Sequence, residues 1–189
     1  MSYYFNGGER IGIIVDGANT HSATRALGMD VDYKRLLAFA AEHGRLIRAE
    51  YYTAVAPVTS ETEFSSLRPL IDWLHYNCWH PITPVGREYM DGGRRTIKSS
   101  ISVEIAVGIC RMARNVDHLM LFSGNGDFCP AIAEAQRSAV RVSVVSTLRT
   151  TPAFVSDDLR RAADQYVDLE ELRDVIGRPV EARRTGTDR

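Results

Sequence analysis

RIGIIVDGAN, residues 10–19, is an apolar run of strand length that stops at an Asp-Gly pair, the pattern of a buried strand opening into a turn. Working outward, the same alternation repeats. DYKRLLAFAAEHG (32–44) carries Tyr33, Leu36, Leu37 and Ala40 at helical spacing with Gly44 as a C-cap, and RLIRAEYYTAV (45–55) reads as a second strand. Phe64, Leu67, Leu70, Ile71 and Leu74 trace one face of a further helix. WHPITPV (79–85) is a short strand whose two prolines assign it to a sheet edge. REYMDGGRRTIK (87–98) reads as a polar loop. Ile101, Ile105, Ile109 and Met112 then lie on one face of a helix over 99–112. HLMLFS (118–123) and RVSVVS (141–146) are core strands with a helix over 128–138 between them. A helix over 157–163, a strand YVDL (166–169) and a closing helix LEELRDVI (169–176) complete the pattern. Strands alternating with helices predict an α/β fold, three layers α/β/α around a mainly parallel central sheet. The expected organisation is an extension over 1–9, one domain over 10–177, and a basic tail over 178–189 with too little to bury to be ordered.

The whole-chain numbers narrow the class. The 189 residues fit one domain, and 44% hydrophobic with 25% charged residues are ordinary globular proportions. No apolar run approaches the roughly 18 residues of a membrane span, and the N-terminus lacks the pattern of a signal peptide. Cys78, Cys110 and Cys129 have no metal-ligand spacing and are expected to be buried reduced thiols, which points to the cytoplasm. A net charge of −1 leaves any attraction for nucleic acid to a local patch. Neither GxGxxG nor GxxxxGK[ST] is present, so no nucleotide cofactor is expected.

In parallel α/β sheets ligands bind beyond the carboxyl ends of the strands, which selects Asp16–Asn19, Ser123–Asp127 and Ser146–Arg149. Asp16 ends one core strand, and Asn19 either caps the following helix or hydrogen-bonds a substrate. SGNGDF repeats the arrangement after another core strand, with Asp127 at a helix start. Either acid alone is explained by a turn or an N-cap. Two acids at neighbouring strand ends resemble half of a divalent-cation site, since hard cations take several oxygen ligands. His21 is read as a surface or helix-start histidine.

IIVDGAN (13–19), KSSISVEIAVGI (98–109), LFSGNGDFCPAI (121–132) and VSTLRTTPAFVSDDLRRAADQYVDL (145–169), in that order, resemble the NYN domain in its bacterial LabA-like branch. The resemblance runs from about Gly12 to Ile176. It implies a PIN-like, Rossmann-like fold and RNA as partner. It also implies a site of clustered aspartates, which in active members holds Mg²⁺ or Mn²⁺ for RNA hydrolysis. Asp16 and Asn19 match the family's DGxN, Lys98 matches the lysine opening its KGxxDxxLxxD segment, and Glu104 matches a glutamate of close relatives. Ser102 and Gly108 stand where that segment has its two aspartates, and Asn125 replaces the first aspartate of SGDGDF, leaving Asp127.

Metal-assisted hydrolysis needs a cation to activate water and offset phosphate charge. Ser and Asn keep an oxygen but lose the charge, and Gly loses both. Asp16 and Asp127 supply about −2 where the family pattern supplies about −5, and Mg²⁺ held by one or two carboxylates keeps most of its water. Glu104 faces either the pocket or solvent. A pocket with fewer carboxylates repels phosphate less, and Arg94, Arg95, Lys98 and Arg149, with the strand-end Ser123 and Thr147, are candidate nucleic-acid contacts. Three functions follow: an RNA-associated protein with a weakened or lost nuclease centre, an active ribonuclease on Asp16, Asp127 and Glu104, or a non-catalytic regulatory module, such as a homodimer formed through an exposed edge.

Overall fold

The computed structural model describes residues 5, 7–55, 61–84, 87–91, 94–98 and 100–179; the side chains of 61–66, 87–91, 94–98 and Pro179 lie outside the described set. Six strands form the central sheet. They are β1 (Arg10–Asp16), β3 (Arg45–Tyr52), β4 (His80–Ile82), β7 (His118–Phe122), β8 (Arg141–Ser146) and β9 (Gln165–Asp168), in the order β4-β3-β1-β7-β8-β9. Every pairing in that sheet is parallel. The expected three-layer α/β/α architecture is therefore observed, and β4, with Pro81, does lie at an edge.

Side chains alternate across β1 and divide the core. Ile11, Ile13 and Val15 pack with Leu36, Phe39, Leu74 and Ile176 on one face. These come from α2 (Tyr33–His43), α3 (Glu61–Tyr76) and α7 (Arg173–Ile176), with Ala23 of α1 (Gly17–Ala26) beside them. Ile14 packs on the other face with Ile105, Ile109, Ile132 and Leu159, from α4 (Ile101–Met112), α5 (Cys129–Arg137) and α6 (Asp157–Ala162). Asp16 shares the parity of Ile14 and so belongs to the α4 side.

Helix starts follow the sequence closely. The Asp32 carboxylate accepts from the N–H groups of Lys34 and Arg35 and caps α2, and the Ser156 hydroxyl caps α6 by accepting from Leu159 N. Two short strands escape the sequence reading. β2 (Met29–Val31) pairs antiparallel with β10 (Gly177–Pro179), so backbone order extends two residues past Gly177. The 87–98 segment is no loop: β5 (Arg87–Asp91) and β6 (Arg94–Lys98) pair in antiparallel register as a hairpin. Asp91-Gly92-Gly93 is a hairpin-turn sequence, and its polar flanks hide the pairing from any test that looks for apolar alternation. The thiols are also not buried, because Cys78 is exposed and Cys110 and Cys129 are half-buried, all three free. No helix among the described residues is long and apolar enough to cross a membrane.

Candidate functional site

The chain runs β1, β3, β4 toward one edge of the sheet and β7, β8, β9 toward the other, so its direction reverses between β1 and β7. A crevice opens beyond the strand ends at such a reversal. Asp16 closes β1 there, and Ser123–Asp127 follows β7.

A chain of short polar contacts ties these two segments together. The Ser123 hydroxyl donates to Asp16 Oδ2 at 2.9 Å, and Asn19 N donates to Asp16 Oδ1 at 3.3 Å, which makes Asp16 the N-cap of α1. Asn19 Oδ1 accepts from Gly124 N at 3.0 Å, so its oxygen latches the α1 start to the β7 loop, while Asp16 is the residue that caps α1. Asn125 N donates back to the Ser123 hydroxyl at 3.2 Å, and Asn125 Oδ1 caps the following turn by accepting from Asp127 N at 3.0 Å. The Gly124 backbone passes so close to Phe154 that a Cβ built at Gly124 overlaps the Phe154 carbonyl oxygen. Burial raises the Asp16 pKa, and the bonds from Asn19 and Ser123 offset only part of that rise.

Other expected residues are distributed unevenly. Asp127 is exposed and Ser102 is half-buried in the first turn of α4. Glu104 is exposed in the first turn of α4. Ser123 is 1% and Thr147 0% exposed, and both hydroxyls are used internally; Thr147 donates to Asp168 Oδ1 at 3.1 Å. They build the loops rather than meeting a phosphate. Arg149 is exposed, with Nε 3.8 Å from Asp168 Oδ1. Arg94, Arg95 and Lys98 fall on the β6 backbone, their side chains outside the described residues. His21 is exposed on α1, as expected.

The sequence profile of the NYN domain family matches residues 10–170. This chain belongs to the NYN domain family. It is 27% identical over 170 residues to the Low amplitude and bright protein LabA of Synechococcus elongatus, covering 89% of this chain and 88% of that protein. A crystal structure of a Vibrio parahaemolyticus protein of unknown function superposes with a TM-score of 0.65 at 23% identity, covering 88% of this chain and 96% of that one, and supports the fold.

Within this NYN fold, the space around Gly108 was not legible in sequence. A Cβ built at Gly108 overlaps the Tyr52 hydroxyl oxygen, lies 2.9 Å from Tyr52 Cζ and 3.5 Å from Glu50 Oε2. Tyr52 is 1% exposed and donates to Glu50 Oε2 at 2.7 Å. Glu50, also 1% exposed, takes Arg111 Nη2 at 3.0 Å on both oxygens and Arg48 Nε at 2.8 Å. A tyrosine and a doubly paired glutamate thus occupy the volume that an aspartate at position 108 would need. The available signal was Glu50 itself, a charged residue set between Ala49 and Tyr51 in the buried half of a strand.

These donors suit a tightly held cation poorly. Both Asp16 oxygens accept bonds from the fold, Asn125 turns its oxygen onto the backbone, and the Glu50 carboxylate is satisfied by two arginines and a tyrosine. Among the described residues no group of three or more His, Cys, Asp and Glu is arranged around a common point.

Proposed function

We propose that this NYN chain is an RNA-binding protein whose nuclease centre has lost most of its acidity, so that it holds RNA strands and cuts them poorly or not at all. The observation that carries this reading is the Tyr52 hydroxyl at Gly108, fixed there by the buried Glu50. A lost side chain leaves room for reversion. Here the room is taken, and the charge beneath it is neutralised by Arg48 and Arg111. Asn125 agrees, because an asparagine cap stabilises the turn without adding negative charge beside phosphate.

The competing reading is a Mg²⁺- or Mn²⁺-dependent ribonuclease using Asp16, Asp127 and Glu104. Its support is Glu104, an exposed acid in the first turn of α4, one turn before Gly108. Two measurements separate the readings: anisotropy titration of single-stranded and hairpin RNA, and cleavage of the same RNAs with each metal. Binding without cleavage is expected. Robust metal-dependent cleavage abolished by Asp16→Ala would overturn it in favour of the ribonuclease. No RNA binding at low salt would overturn both and leave a protein-interaction module.

A further inference from the structure

We propose that a second pocket, beside the Asp16 crevice, is a nucleotide subsite that takes one base of the RNA strand inside and its phosphate at the rim. This proposal rests on the RNA-binding reading. The pocket has a volume of about 650 Å³, within the range of small-molecule sites. Gly17 and Ala18, directly after Asp16, form part of its wall, so it adjoins the crevice through the first turn of α1.

Its chemistry is divided between floor and rim. Tyr33 and Tyr51 meet edge to face, with centroids 5.4 Å apart at 84°, and Leu67 and Leu70 of α3 also line the pocket. Tyr51 is held against Gly17, whose built Cβ would come 2.5 Å from the Tyr51 hydroxyl oxygen. Aromatic and aliphatic walls of this kind accept a flat ring, and stacking on a ring is tolerant of base identity. Thr53 and Asp30 add hydroxyl and carboxylate groups, which suit the mixed donors and acceptors of a base edge. At the rim Arg25 of α1 and Arg178 of β10 are both exposed, so two arginines and one carboxylate, Asp30, line the pocket. Guanidinium binds phosphate through paired N–H donors.

Other occupants fit less well. An acyl chain would set methylene groups against Asp30 and Thr53, at the cost of taking polar groups out of water without a new partner. A bare phosphate would use the rim and leave the aromatic floor empty. A nucleotide uses both.

The test uses the full chain, adenosine 5′-monophosphate and inorganic phosphate as small probes, and a short single-stranded RNA. Adenosine monophosphate is expected to shift the amide signals of Gly17, Asp30 and Thr53 saturably in ¹H–¹⁵N spectra, where inorganic phosphate does not. Arg25→Ala with Arg178→Ala is expected to weaken RNA binding about tenfold and to lower the salt slope by about two. Ser22→Trp, which inserts a ring from an exposed helix position on the wall, is expected to block adenosine monophosphate with the melting temperature unchanged. Unchanged RNA affinity and salt slope in both variants would overturn the subsite while the RNA-binding reading stands. Equal shifts from phosphate alone would also overturn it, since the base would then contribute nothing. If the wild type binds no RNA, the mononucleotide titration decides alone: saturable shifts at the pocket uphold a nucleotide site, and none overturns it.

Discussion

Filling Gly108 is the sharpest probe of how tightly Tyr52 packs against α4. Glycine inside a helix destabilises by about 1 kcal/mol relative to alanine, so Gly108→Ala on an open helix face would stabilise the chain by that amount. Here the added methyl overlaps the Tyr52 hydroxyl and sits 2.9 Å from Cζ. Overpacking of this kind costs about 1–3 kcal/mol, and the upper end applies because Tyr52 is rigid, 1% exposed and bonded to Glu50. The expected net effect is a destabilisation of about 1–2 kcal/mol, the difference of those two contributions. Removing the hydroxyl with Tyr52→Phe should release most of the clash, while itself costing about 1–3 kcal/mol for the donor taken from a buried carboxylate. In the Tyr52→Phe background Gly108→Ala should therefore be near neutral or stabilising, giving a coupling of about 2 kcal/mol in a double-mutant cycle. Urea denaturation of the four proteins measures this directly. A stabilising Gly108→Ala in the wild-type background, with no coupling to Tyr52, would refute the reasoning. Gly108→Asp is then expected to be worse than alanine, since it also sets a buried negative charge beside Glu50, and to leave cleavage unrestored.

Other positions in the chain behave differently. Asn125→Asp keeps the cap on Asp127 N and should change stability by less than about 0.5 kcal/mol, because Asn and Asp are equivalent N-caps; calorimetry checks this, and a large loss would mean the amide nitrogen has an unrecognised role. Asn19→Ala cuts the bond to Gly124 N and leaves a part-buried donor unpaired, for an expected loss of about 1–3 kcal/mol in denaturant melts, with RNA affinity falling as the two loops separate. Asp16 has a raised pKa because of burial, so the folded chain holds this proton to higher pH than the unfolded chain. Its contribution to stability therefore falls as pH rises through that window and stays low at neutrality; Asp16→Asn should raise the melting temperature at pH 7 and flatten this slope. His118, 0% exposed, is lowered to about 4 by burial and by Arg141. The unfolded chain then binds the extra proton first, so stability should drop by on the order of 3 kcal/mol as pH falls from 6.5 toward 4, a drop that His118→Gln should remove from acid titration curves.

Much of this was legible in the linear chain. Ile11, Ile13, Ile14 and Val15 announce a strand buried on both faces, and Ile105, Ile109 and Met112 announce a helix with one packed stripe, because burial periodicity is a local property. Asp16 and Asp127 stand out as strand-end acids, since parallel sheets put loops at those ends. The β5–β6 hairpin is hidden because its residues are mostly polar, and β2 and β10 because three-residue strands carry too few positions to show a period. The roles of Ser123, Asn19 and Thr147 differ from expectation for one reason. Polar residues in loops look available until their partners are known, and these partners lie 107, 105 and 21 residues away in the chain.

The sequence by itself determined the alternation of strands and helices, the family, and the place of Asp16 and Asp127 after two core strands. Only the tertiary structure decided what fills the space at Gly108. Gly108 and Tyr52 are far apart in the chain, on α4 and β3, and the Tyr52 hydroxyl enters the space above Gly108 because β3 packs beneath α4 with Glu50, Arg48 and Arg111 holding it there. A residue type records what a side chain can do, but the packing of distant elements determines whether there is room to do it.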